Sequence, residues 1–123
     1  MKSSSECWDQ TRALEGVGGD SEFLKELVEI FCAACPTLMK SLEDSIAARR
    51  FSSAADTAHM LGRAARNLAA AGVSETALTV EMMARGKKFD GIDNALRMLR
   101  QEAGRLMDAL ADFRIGRSGF AGN

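Results

Sequence analysis

His59 is the only histidine among 123 residues. The side chains at helical spacing around it are the chain's clearest candidate for chemistry, because imidazole is a nucleophile and proton carrier near neutral pH. At 100° per residue, Ala54, Ala58, Leu61, Ala65 and Leu68 gather on one side of a helix. Ala55, Asp56, His59, Gly62, Arg63, Arg66 and Ala70 gather on the other. His59 is therefore expected on the solvent face, about midway along its helix. Arg63 lies one turn on and Arg66 two turns on, two cations able to hold an anion beside the ring. Ala55 and Gly62 are small, and a mid-helix Gly costs about 1 kcal/mol relative to Ala. The expected offset is access for a large partner, so Ala55, Asp56, Gly62, Arg63 and Arg66 form the expected docking surface. The competing reading is an ordinary solvated histidine.

Other constellations support less. Cys32-Ala-Ala-Cys35, followed by Pro36, has a spacing used by redox and metal sites, but with Cys7 the chain offers only three thiols, and a zinc or iron–sulfur site takes about four ligands. Both cysteines fall on or beside an apolar stripe, where Cys acts as a small hydrophobe. No metal is expected. Gly16-Val17-Gly18-Gly19 lacks the Gly-Lys-Ser/Thr of a phosphate loop and reads as a turn. No nucleotide-binding box occurs elsewhere, so autonomous kinase activity is not expected. Arg85, Lys87 and Lys88 read as cations complementing a helix C-terminus. Met82, Met83, Met98 and Met107 read as core filler or a docking rim.

Helices must position these residues. Asp9–Glu15 is expected to form one short helix, broken by Gly16 to Asp20, with Asp20 or Ser21 capping the next. That helix carries Leu24, Val28, Phe31, Cys35, Leu38, Leu42 and Ile46 on one face. The register continues past Pro36, so a kink is expected there rather than an end. Arg49-Arg50-Phe51 reads as a turn, with Ser52 or Ser53 capping the histidine helix. Gly72 reads as that helix's end and Ser74 as the next cap. Val73, Ala77, Val80 and Ala84 mark the fourth helix. Ile92, Leu96, Leu99, Ala103, Leu106, Leu110 and Phe113 mark the last, opened by Asp90 and Asp93. The fold class is all-α: an antiparallel four-helix bundle with a short extra N-terminal helix. Residues 1–8 are expected to be a flexible lead, 9–114 the bundle and 115–123 a flexible tail.

Composition narrows the function. Sixteen basic and 17 acidic side chains give a net charge of -1, without the basic excess of a general nucleic-acid binder. No stretch approaches ~18 consecutive apolar residues, so no membrane span is expected. An odd cysteine count without an export signal points to reduced thiols and a cytoplasmic location. The absence of Tyr and the single Pro favour helix over sheet. The starting Met and uninterrupted bundle favour a free-standing protein; the stripe of the last helix could drive dimerisation, packing inside the bundle explains it equally well, and a monomer is expected.

The order of Gly18-Gly19-Asp20, the stripe through Phe31, Pro36 and Leu38, and then Ala58-His59-Met60-Leu61 resembles the histidine-containing phosphotransfer (HPt) family, over roughly residues 10–113. The resemblance implies a helical bundle in a bacterial-like two-component phosphorelay. It implies that His59 accepts a phosphoryl group from the aspartyl phosphate of a receiver domain and passes it to another receiver. It also implies no catalysis of the bundle's own and no resident cofactor, Mg²⁺ belonging to the receiver partner. The family's pattern, Ala-His-x-Leu-Lys-Gly-Ser-Ala, reads Ala58-His59-Met60-Leu61-Gly62-Arg63-Ala64-Ala65 here. Lysine and glycine have in effect traded places. Two outcomes are open: Arg63 replaces the lysine with Arg66 assisting, or Arg63 crowds the receiver and leaves a degenerate adaptor that docks without transfer.

Overall fold

The computed structural model describes residues 8–114, which contain five helices and no strand. They are α1 (Gln10–Gly16), α2 (Ser21–Ala47), α3 (Phe51–Asn67), α4 (Ala71–Arg85) and α5 (Ile92–Arg114). Short turns join α2 to α5 into a helical bundle, and α1 is the extra N-terminal helix. Residues 1–7 of the expected lead and all of the expected tail lie outside the described residues.

Local signals set the first two helices. The Asp9 carboxylate accepts the Arg12 N–H at 2.9 Å and caps α1. Asp20 accepts the Phe23 N–H at 3.1 Å and caps α2. Between them the chain turns through Gly18 and Gly19, whose φ angles of 68° and 81° favour glycine. Pro36 lies inside α2, which runs through it as one helix.

The bundle's interior follows the apolar stripes. Leu24, Val28, Phe31, Cys35, Leu42 and Ile46 of α2 are buried, with Met39 beside a half-buried Leu38. Every expected stripe residue of α4 and α5 is buried. Each fully buried Leu, Ile or Val contributes about 1.5–3 kcal/mol by leaving water. Arg100 pairs with Glu43 at 2.8 Å and Arg114 with Glu29 at 2.9 Å, linking α5 to α2. Exposed pairs of this kind add little stability.

Several helix ends differ from expectation. Helix α3 begins at Phe51, after Arg50, with no side-chain cap, so neither Ser52 nor Ser53 performs that role. Phe51 stacks on Phe89 with centroids 3.8 Å apart, which ties the start of α3 to the α4–α5 connection. Helix α3 stops at Asn67, five residues before Gly72. Ala69 takes a left-handed φ of 58° there; its N–H bonds Arg66 O, and the Ala70 N–H bonds Ala65 O. Burial of Leu68 and Ala70 turns the chain at this point. Arg49 and Lys87 stop α2 and α4 the same way. Gly72 and Ser74 lie in the first turn of α4 instead. A Cβ at Gly72 would meet the end of the Glu102 side chain of α5, which would have to shift.

Trp8 corrects the expected boundary of the lead. It is 3% exposed, its Nε1–H donates to Leu68 O at 2.7 Å, and its ring meets Phe113 edge-on at 5.3 Å. A large apolar ring with a satisfied polar end belongs to the core.

Candidate functional site

His59 projects from the middle of α3 with 49% of its side chain exposed. Asp56, Arg63 and Arg66 are also exposed. Neither arginine is paired with another described residue.

Ala55 and Gly62 lie elsewhere. Both were expected to face a partner, and both are buried. Ala70, expected on the same face, is buried as well. A Cβ added at Gly62 would meet the Ala77 Cβ of α4 at 3.4 Å. The small residues therefore let α3 and α4 approach closely, and these two helices make the bundle's most extensive contact. The reason is angular: positions 55 and 62 lie at the edge of the buried arc, and α4 covers that edge. Position 62 packs against α4, whereas position 63 faces water. The packing thus accounts for glycine at 62 and arginine at 63.

The close seam brings α4 side chains to the imidazole. His59 Nδ1 lies 3.1 Å from Glu81 Oε1. A carboxylate only accepts, so this contact assigns the proton to Nδ1, and in the neutral ring Nε2 then carries the lone pair. The other Glu81 oxygen accepts from Arg85 Nε at 3.1 Å, and Arg85 also donates to Asp56 Oδ1 at 3.3 Å. Glu81 is only 13% exposed, while Arg85 is half exposed. The Arg85 pKa is raised, first by its hydrogen bond to Glu81; desolvation opposes this, and Asp56 adds to it.

Glu81 and Arg85 carry the site's geometry, yet only Arg85 stood out in the sequence, as a helix-end cation. Their i,i+4 spacing is the available signal. Glu81 also directly follows Val80 of the buried stripe, which places it at the edge of α4's packed face.

The cysteines form no comparable site. Cys35 is 2% exposed, and burial pushes its pKa up to about 11, with Cys32 adding to the shift. Cys32 is also raised by burial, against an opposing effect of Arg114. Both stay protonated near neutral pH, and the thiolate is the reactive form. Among the described residues no helix is long and apolar enough to cross a membrane.

The site presents an exposed imidazole, held at Nδ1 by Glu81, on a helix that also exposes Arg63 and Arg66. The family model for the Hpt domain matches residues 26–113, which includes α3, α4 and most of α2 and α5. No curated protein and no solved structure matches the chain.

Proposed function

Because the chain belongs to the Hpt domain family, whose members are histidine phosphotransfer modules of phosphorelays, we propose that His59 is its phosphoacceptor. The observation that carries this reading is the Glu81 carboxylate on Nδ1 of an exposed imidazole, which leaves Nε2 as the nucleophile.

The step follows from that geometry. The Nε2 lone pair attacks the phosphorus of a receiver's aspartyl phosphate. A P–N bond forms, the bond from phosphorus to the aspartyl oxygen breaks, and the receiver carboxylate leaves with that electron pair. The ring becomes cationic, and the Nδ1–H remains on Glu81, whose negative charge stabilises the imidazolium as it develops. The same step in reverse delivers the group to a second receiver. Arg63, one turn on from His59, with Arg66 beyond it, supplies positive charge for the phosphoryl oxygens. With Asp56 they form the polar part of the docking face. The bundle contributes positioning and electrostatics, and no catalytic cycle of its own. Partners are receiver domains of response regulators or hybrid kinases, met by a monomer in the cytoplasm, with no nucleic acid, membrane or resident metal involved.

The test is transfer from a panel of phosphorylated receivers. Acid-labile phosphate on the wild type and none on His59→Gln is the expected result. Binding without any label would favour the second reading, a docking adaptor, which the lack of a cation at buried position 62 favours.

A further inference from the structure

We propose that Arg85 is a positioning residue for this reaction: held between Glu81 and Asp56, it fixes the Glu81 carboxylate on His59 Nδ1 and so decides which ring nitrogen reacts. The inference rests on His59 as phosphoacceptor and extends it to residues that do not touch the phosphoryl group.

The contacts form a closed path across the α3–α4 seam. It runs from His59 to Glu81, on one turn along α4 to Arg85, and across to Asp56, one turn before His59 on α3. Each Glu81 oxygen has one role, Oε1 on the imidazole and Oε2 on the guanidinium. A glutamate has three side-chain torsions, and a single hydrogen bond to a half-exposed ring leaves the carboxylate able to rotate away. A second bond from the opposite side removes that freedom. Guanidinium suits the task because its Nε and Nη donors lie in one rigid plane and reach two carboxylates at once. Here Nε takes Glu81 and the terminal nitrogen takes Asp56.

Charge gives a second reason. Glu81 is 13% exposed, so its negative charge needs compensation near at hand. Arg85 supplies it without competing for Oε1. Asp56 is 73% exposed and anchors Arg85 from the histidine's own helix, which keeps the guanidinium over the seam. These pairs are too exposed to govern folding. The predicted consequence is therefore chemical: Arg85 determines how much of the imidazole carries its proton on Nδ1.

That quantity is measurable in the free protein. Histidine in water favours the Nε2–H tautomer, so an excess of Nδ1–H reports the Glu81 contact directly. The experiment records imidazole ¹⁵N shifts of the full chain for wild type, Arg85→Met, Arg85→Lys and Asp56→Asn, with helical content checked by circular dichroism. The same proteins then accept phosphoryl from a receiver that labels the wild type. Arg85→Met is expected to shift the ring towards Nε2–H and slow transfer by roughly tenfold. Arg85→Lys, with one point donor, should restore only part of the loss, and Asp56→Asn should move both readouts less. An unchanged tautomer in Arg85→Met would overturn the proposal even if transfer slowed, since that would indicate direct contact with the partner. A shifted tautomer with an unchanged rate would overturn it as well. If no receiver labels the wild type, the phosphoacceptor reading fails, while the tautomer comparison still decides whether Arg85 orients the ring.

Discussion

The α2–α5 side of the bundle and the α3–α4 seam solve different problems with different residues. The first is built from large side chains: Phe31, Leu42 and Ile46 on α2, and Leu99, Leu106, Leu110 and Phe113 on α5. The second uses Ala55, Ala58, Gly62 and Ala65 on α3 against Val73, Ala77, Val80 and Ala84 on α4. Each large side chain removes more apolar area from water. Small ones contribute less but allow two backbones to approach, and that approach lets Glu81 reach His59. The large residues fill the core, and the small ones set how closely Glu81 and His59 meet.

The comparison can be broken hardest on the large-residue side. Leu110→Ala, at a fully buried position, is expected to cost about 2–5 kcal/mol, read from a denaturant midpoint. While the protein stays folded, its rate of phosphoryl acceptance should match wild type. A large loss of rate in folded protein would show that the two regions are not separable.

The seam should respond in the opposite sense. Gly62→Leu places a branched side chain where even a Cβ meets Ala77 at 3.4 Å. Overpacking of this kind costs about 1–3 kcal/mol, and it should also separate Glu81 from His59. Both stability and transfer should fall, with transfer falling further than the stability loss explains. Arg63→Ala, on the exposed face, should leave the unfolding midpoint unchanged and slow transfer alone. Wild-type stability and rate for Gly62→Leu would mean that close approach is not what builds the site.

The smallest effect sharpens the contrast. Ala69 ends α3 with φ at 58°, a left-handed conformation in which a Cβ is crowded. Ala69→Gly is expected to raise stability by about 0.5–1 kcal/mol, seen as a higher midpoint in thermal or denaturant unfolding. Transfer should be unchanged, because the seam is untouched.

The same division explains what the amino-acid sequence discloses. The α5 stripe is legible residue by residue, because a Leu-rich 4-3 alternation has one face that can be buried. Helix α3 is legible only as a helix: alanine and glycine are equally at home in a core or on a surface, so the hydropathy of Ala55 and Gly62 cannot say which side α4 takes. Exposure of His59, Asp56, Arg63 and Arg66 could be read from spacing. Glu81 could not, since it meets His59 from another helix, 22 residues away. Trp8 was hidden for a related reason: a lone aromatic in a polar segment has no periodicity, and its acceptor, Leu68 O, is 60 residues away. The helix ends near Arg49 and Lys87 fall where the sequence places a turn and a helix C-terminus, whereas the end at Ala69 escaped notice because the expected stop in a left-handed turn is glycine.

The central claim is that Glu81 holds the proton on Nδ1 and leaves Nε2 to react. Its most direct test is to phosphorylate the ¹⁵N-labelled protein from a receiver and locate the phosphoryl group by ³¹P–¹⁵N coupling in the His59 ring. Phosphorus on Nε2, with the proton still on Nδ1, is the predicted result; phosphorus on Nδ1 would contradict it.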